Sequence, residues 1–457
     1  MKLKTITLQV QESWDLISLN QNNKIKKMKT SHLLYITILS IFAISCNDST
    51  TRITQKIDYN SYLTKTDNTK TVQIFKELNF WNTKLDPDST RIKPLGSIAK
   101  NYTNLFQATG NIDYLKKAEK VLTKSIEIAA INKEKYQLSL SGNYISQHRF
   151  KEAKKMAMIV FETGNFPLES QMVLFDVSME LGDYKKAETY LSAIEKENDY
   201  NFLIRLAKWN DYKGNLDNTI IYMEKAKEIA EKSNRENLEL WSYTNLADYY
   251  GHAGRIKDSY QYYLKALEID PSNAYAQKGI AWIAYSYENN PKEALRILTA
   301  IAEKYTSPDQ SLLMAEISAY MNDTLSKDVH IKKYLAQVSN VDYGVMYDKY
   351  NTLLYAEELG NYDLALTLAK NEVTNRSTPE SFDLLAYTLF LKGEYKKALD
   401  IIEEYVDGKT YEPEIMYHMA KIYKANNKMD QVTSLKKELL ESSYELGPVV
   451  TNEIAKL

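Results

Sequence analysis

Apolar positions along this chain recur at helical spacing, in pairs of short runs with a turn between them. In "ENLELWSYTNLADYYGHAGRIKDSYQYYLKALEIDPSN" (236–273), Tyr243, Leu246, Ala247 and Tyr250 lie three or four residues apart and share one face of a helix. Gly254 takes the turn, and Ser259, Tyr263, Ala266 and Leu267 form the face of a second helix. Pro271 closes the unit, because proline removes a backbone donor and clashes with the preceding turn. The pattern predicts a helical hairpin.

The hairpin is written repeatedly, as "TGNIDYLKKAEKVL" (109–122), "LGDYKKAETYL" (181–191), "LGNYDLALTLA" (359–369) and "LKGEYKKALDII" (391–402). A small or apolar residue five positions after each turn glycine, or its equivalent, marks the units: Ala118, Ala153, Ala187, Thr219, Ser259, Ala294, Val329, Ala365, Ala398 and Val432. Ala118 lies eight after Gly110, which predicts a longer first turn. Marker intervals run from 32 to 40 residues and centre near 34. Such a period over more than 300 residues predicts an all-α solenoid of stacked hairpins, each contacting its neighbours, in place of one large core.

Leu246-Ala247, Tyr250, Gly254, Ser259, Tyr263, Ala266 and Pro271 follow the order of the tetratricopeptide repeat, as do Phe382, Leu385-Ala386, Gly393 and Ala398. The chain resembles that family over about residues 95–445. HEAT and armadillo repeats are the rival, but their longer period is reached by one interval only. The resemblance implies a right-handed α-solenoid: N-terminal capping helices over 71–110, then nine to ten units over 111–445, with "QVTSLKKELLESSYELG" in the C-terminal cap. It also implies a concave groove lined by the first helix of each pair, with a protein or peptide partner in it. In the family register the groove positions are Asp176, Glu180, Lys208, Asp211, Tyr212, Trp241, Asp248, His252, Ile283, Tyr287, Tyr347, Tyr350, Leu354, Tyr387 and Tyr417. Tyr and Trp there would anchor a bound segment.

Residues 24–46, "KIKKMKTSHLLYITILSIFAISC", place four lysines before an apolar run from Leu33 to Phe42 and small residues before Cys46. That is the grammar of an export signal over 28–45, and the apolar run is about half of what a membrane-spanning helix needs. Ala43-Ile44-Ser45-Cys46 resembles the lipobox of bacterial lipoproteins, which implies acylation of Cys46 and an anchored protein. Outer-membrane attachment is expected, with the body facing the periplasm or the cell surface. Met28 opens a complete signal by itself, so 1–27 reads as a misassigned start or an extension of the basic segment. The polar stretch 46–70 reads as a flexible stalk.

Composition narrows the chemistry. Net charge is −2, and the first 45 residues hold six lysines against two acids, so the remainder carries −6, a balance that argues against nucleic acid as partner. Cys46 is the sole cysteine, which excludes an internal disulfide or a thiolate metal cluster. His32, His148, His252, His330 and His418 are scattered through different registers, and no hydrolase, nucleotide or zinc motif occurs. No catalytic residue, metal or cofactor is expected. Asp48-Ser49-Thr50, Asp88-Ser89-Thr90 and Asp323-Thr324-Leu325 resemble the O-glycosylation sequon of some exported bacterial proteins. The function expected is a membrane-anchored interaction scaffold or assembly factor of the bacterial cell envelope. The rival is a carbohydrate-binding helical surface lipoprotein serving an outer-membrane transporter; short turns and only 5 tryptophans speak against it.

Overall fold

The computed structural model describes residues 52–64, 69–85 and 92–457. The export signal, Cys46, and the triplets at 48–50 and 88–90 lie outside the described residues. Helices α1 (Lys56–Thr64) and α2 (Thr69–Asn82) precede ten hairpins. These are α3 (Ile92–Thr109) with α4 (Ile112–Ile128), α5 (Lys133–Ser146) with α6 (Phe150–Glu162), α7 (Pro167–Glu180) with α8 (Tyr184–Ala193), α9 (Tyr200–Tyr212) with α10 (Leu216–Ser233), and α11 (Glu236–His252) with α12 (Ile256–Ile269). Then come α13 (Ala274–Trp282) with α14 (Pro291–Ala302), α15 (Pro308–Tyr320) with α16 (Thr324–Val338), α17 (Asp348–Leu353) with α18 (Tyr362–Asn375), α19 (Pro379–Leu391) with α20 (Tyr395–Tyr405), and α21 (Pro413–Ala425) with α22 (Met429–Glu441). A last helix, α23 (Ser443–Ile454), follows. Consecutive helices pack on one another, and the described residues contain no strand. The fold is an all-α solenoid.

The marker residues explain why the hairpins close. Ala153, Ala187, Thr219, Ser259, Ala294, Ala365 and Ala398 have no exposed surface, and each lies where the second helix crosses the first. A bulky side chain there would push the axes beyond the usual 8–10 Å. Two markers need correction. Val329 is 56% exposed; Asn322 takes the left-handed turn conformation and Asp323 caps α16, so Lys327, four after the cap, holds the marker's place. In the first hairpin Gly110 and the cap Asn111 repeat the standard turn, so that turn is not longer; Leu115 stands at the marker's place and Ala118 one helical turn later.

Part of the expected stalk is a docked helix. The amides of Ile53 and Thr54 donate to Glu288 Oε1, the Tyr59 hydroxyl donates to Glu293 at 2.8 Å, and Lys56 pairs with Glu293 at 2.7 Å. Tyr59 and Leu63, four apart, are buried against α12 and α14. Two apolar side chains four apart among polar residues give too weak a pattern to announce a docked helix; the partners that hold it, Tyr260, Glu288 and Glu293, lie more than 200 positions away.

The array winds tightly enough for successive turns to touch. The Thr306 amide, just before α15, donates to the Thr109 carbonyl at 2.8 Å, beside Gly110. A Cβ on Gly182 would come within 2.6 Å of the Ser377 carbonyl oxygen, before α19, and one on Gly214 within 2.6 Å of the Tyr411 ring, before α21. Lys151 donates to the Thr374 carbonyl, and Arg376 pairs with Glu180. The turns of the first, third and fourth hairpins thus rest on the entries to the hairpins six further along.

Candidate binding chamber

Beside those contacts, first helices of successive hairpins line a half-open chamber. Its volume is about 1090 Å³, and its wall is made by α13, α15, α17, α19 and α21, with α23 laid across one side. A second cavity of about 340 Å³, between α7, α9 and the entries to α19 and α21, meets it at His252, Glu412 and Glu445. The last helix is fixed by its first turn: Trp282 Nε1 and Ser286 Oγ both donate to the Tyr444 carbonyl, and the Tyr444 ring lies on Gly251 of α11. Gly447, with φ +75, bends α23 so that Leu446 and Val450 face the chamber.

The wall combines aromatic rings with charge. Tyr387 is stacked 3.6 Å from His418, and His418 Nδ1 lies 2.8 Å from Asp383 beneath it. Burial opposes protonation of this imidazole, but the Asp383 carboxylate holds it above its ordinary pKa. Every lysine of the chamber has a carboxylate partner: Lys278 with Asp309, Lys327 with Glu358, Lys349 with Glu414 and Lys421 with Glu453. Glu316, Glu357, Glu412 and Glu445 remain; among the described residues no lysine or arginine nitrogen lies within 4 Å of them. Burial, with Glu414 and Glu357 nearby, pushes Glu316 up to about 7. Burial, with Glu380, Glu445 and Asp211, does the same to Glu412, about 7. Glu414, despite its burial, is held below the usual range by Lys349. No group of three or more His, Cys, Asp or Glu among the described residues is arranged to hold a metal.

The tetratricopeptide-repeat profile matches residues 242–273, the stretch that forms most of α11 and α12, and the other nine hairpins repeat its helix pairing. This hairpin is a tetratricopeptide repeat, and the described residues have the fold of a solenoid of such hairpins. Arrays of this fold act as interaction scaffolds, with protein or peptide partners. No curated protein matches the sequence. Among solved structures, the array is similar to a tetratricopeptide repeat protein from Parabacteroides merdae (17% identity, 56% of this chain and 97% of that one, TM-score 0.33). It is also similar to human IFIT1, solved as a dimer with PPP-AAAA (13% identity, 79% and 96% of the chains, TM-score 0.41), and to yeast Tom70 (12% identity, 80% and 94%, TM-score 0.34).

The tetratricopeptide register places the expected groove residues unevenly. Tyr350, Leu354, Tyr387 and Tyr417 line the chamber, His252 stands where the two cavities meet, and Glu180, Lys208, Asp211 and Tyr212 line the smaller one. Asp248 instead accepts from the hydroxyls of Tyr263 and Tyr275, at 2.5 and 2.6 Å. Asp176 pairs with Arg205. Ile283 is core, Tyr287 packs against the central hydrophobic cluster, and Tyr347 is wedged edge-on between Tyr334 and Tyr343. Trp241 is 41% exposed and outside both cavities.

Two local features explain the residues that register counting missed. First, Lys327 and not Val329 marks the seventh repeat, a slip of two; recounted from Lys327, the groove positions of α15 become Asp309, Leu312, Glu316, Ala319 and Tyr320, of which the first four line the chamber. Second, α13 and α17 each end in a π-turn, Ile283–Tyr287 and Leu354–Glu358. The extra residue rotates everything before it by one position, so Lys278, Trp282, Lys349 and Leu353 reach the chamber. Glu357, Glu414 and Lys421 were in register; what they lack is an aromatic or unpaired character visible in sequence.

Proposed function

We propose that this protein is a lipid-anchored scaffold of the bacterial cell envelope that holds a protein or peptide partner in its chamber. The observation that carries the reading is the chamber itself, whose wall sets the accessible rings of Trp282 and Tyr350 among charges, where amphipathic rings can anchor a bound segment. The surplus of carboxylates favours a partner other than nucleic acid. The anchor rests on the signal-like residues 28–45 and on Cys46; no described helix is long and apolar enough to cross a membrane. On this reading the docked α1 shortens the tether.

The test has two arms. Cys46→Ser should release the protein from membranes and abolish labelling by a fatty-acid analogue. Quantitative pull-down should recover one partner with the wild type and with Lys396→Ala on the outer face, and lose it with Tyr350→Ala, whose ring is 42% exposed in the chamber. Equal recovery by all three, or retention on a glycan matrix that ignores Tyr350, would contradict the proposal.

A further inference from the structure

The charge ledger of the chamber identifies a class of ligand, and this step rests on the scaffold reading. All four chamber lysines are already paired, while Glu316, Glu357 and Glu412 have no lysine, arginine or histidine partner and Glu445 has only His252 Nδ1, at 3.8 Å. These four carboxylates come from α15, from the π-turn after α17, from the entry to α21 and from α23, so they face one another across the space and do not form one local acidic run.

A separate observation lies at the other side of the wall. His418 is only 5% exposed, its Nδ1 is committed to Asp383, and its Nε2 makes no hydrogen bond among the described residues although the ring lines the chamber. With Nδ1–H donated to Asp383, this nitrogen accepts a hydrogen bond while the imidazole is neutral and donates one when it is protonated, and it is directed at whatever fills the space. A peptide backbone offers both partners, an amide N–H and a carbonyl. Tyr350 and Trp282, the accessible rings of the wall, offer faces for aliphatic stems that end in cations.

We infer that the chamber binds an extended peptide segment rich in lysine or arginine, with its side-chain cations at Glu316, Glu357, Glu412 and Glu445 and a backbone amide group hydrogen-bonded to His418 Nε2. Small polyamines share the charge but lack the backbone amide. Acidic and neutral segments would leave the carboxylates unmatched.

Fluorescence anisotropy on the full chain tests this, with a labelled peptide of about ten residues alternating lysine and alanine, the glutamate-alanine counterpart, and spermine as competitor. The lysine peptide should bind and the glutamate peptide should not. Glu316→Gln with Glu412→Gln should weaken binding by about tenfold or more, as expected for losing two enclosed charge contacts. Glu403→Gln, on the outer face of α20, should leave it unchanged. Spermine should compete only at much higher concentration. Unaltered affinity in the double variant, equal binding of both peptides, or spermine competing as well as the peptide itself would overturn the inference. Glu357→Gln serves as a third variant with the same expectation should the double variant fold poorly. If the lysine peptide fails while a different partner is still lost with Tyr350→Ala, this inference falls and the scaffold reading stands.

Discussion

Glu316 shows how the chamber is held open at a cost to stability. Its carboxylate accepts from the Tyr285 hydroxyl at 3.1 Å but has no cation, and burial raises it to about 7. A group whose pKa is higher folded than unfolded contributes fully below the unfolded value, about 4.5, and loses that contribution as pH rises through 7. Glu316→Gln keeps an acceptor for Tyr285 and removes the charge. It should therefore raise stability at pH 8 by about 2 kcal/mol and leave it unchanged at pH 4, as read from urea midpoints. Equal midpoints at both pH values would remove the electrostatic explanation. In sequence this residue was hidden by the slip of two in the seventh repeat, where Asn322 stands in for a turn glycine. The tyrosines at 350, 387 and 417 were legible because their units keep a small or apolar marker in the right place.

Helical hairpins were the most legible level, since period and turn residues recur locally; departures arose where a helix changes its winding or answers to distant residues. The π-turns after α13 and α17 left no sequence cue, and the second of them turned Tyr347, which precedes it, out of the chamber. The strap α1 depends on Glu293, which despite its burial is held down at about 2 by Arg296, Lys56 and Tyr59. Such a group stabilises above the unfolded value near 4.5 and ceases to do so as pH falls through 2. Glu293→Gln should cost about 2–3 kcal/mol at pH 7 and nothing at pH 2, and should increase hydrogen exchange across 53–64. Unchanged protection there would mean that α1 is held by Tyr59 and Leu63 alone.

Turn glycines separate the element from the whole. Gly182 and Gly360 both have positive φ, so alanine at either costs about 1 kcal/mol. Only at Gly182 would the new Cβ also strike the next turn of the winding, at the Ser377 carbonyl; nothing lies within 4 Å at Gly360. Gly182→Ala should thus destabilise by about 1–3 kcal/mol more than Gly360→Ala in denaturant titration. Equal losses would mean the turns do not rest on one another. This winding was not readable in the chain, because the residues that touch lie nearly 200 positions apart and no local pattern records their meeting.

The most direct measurement is photo-crosslinking in native membranes, with p-benzoyl-phenylalanine placed in turn at Tyr350 inside the chamber, at Trp241 on an exposed face outside it, and at Lys396 on the outer surface. Capture of one partner from position 350, and not from 241 or 396, is the predicted result. Capture from 241 or 396 with none from 350 would contradict the chamber as the working surface.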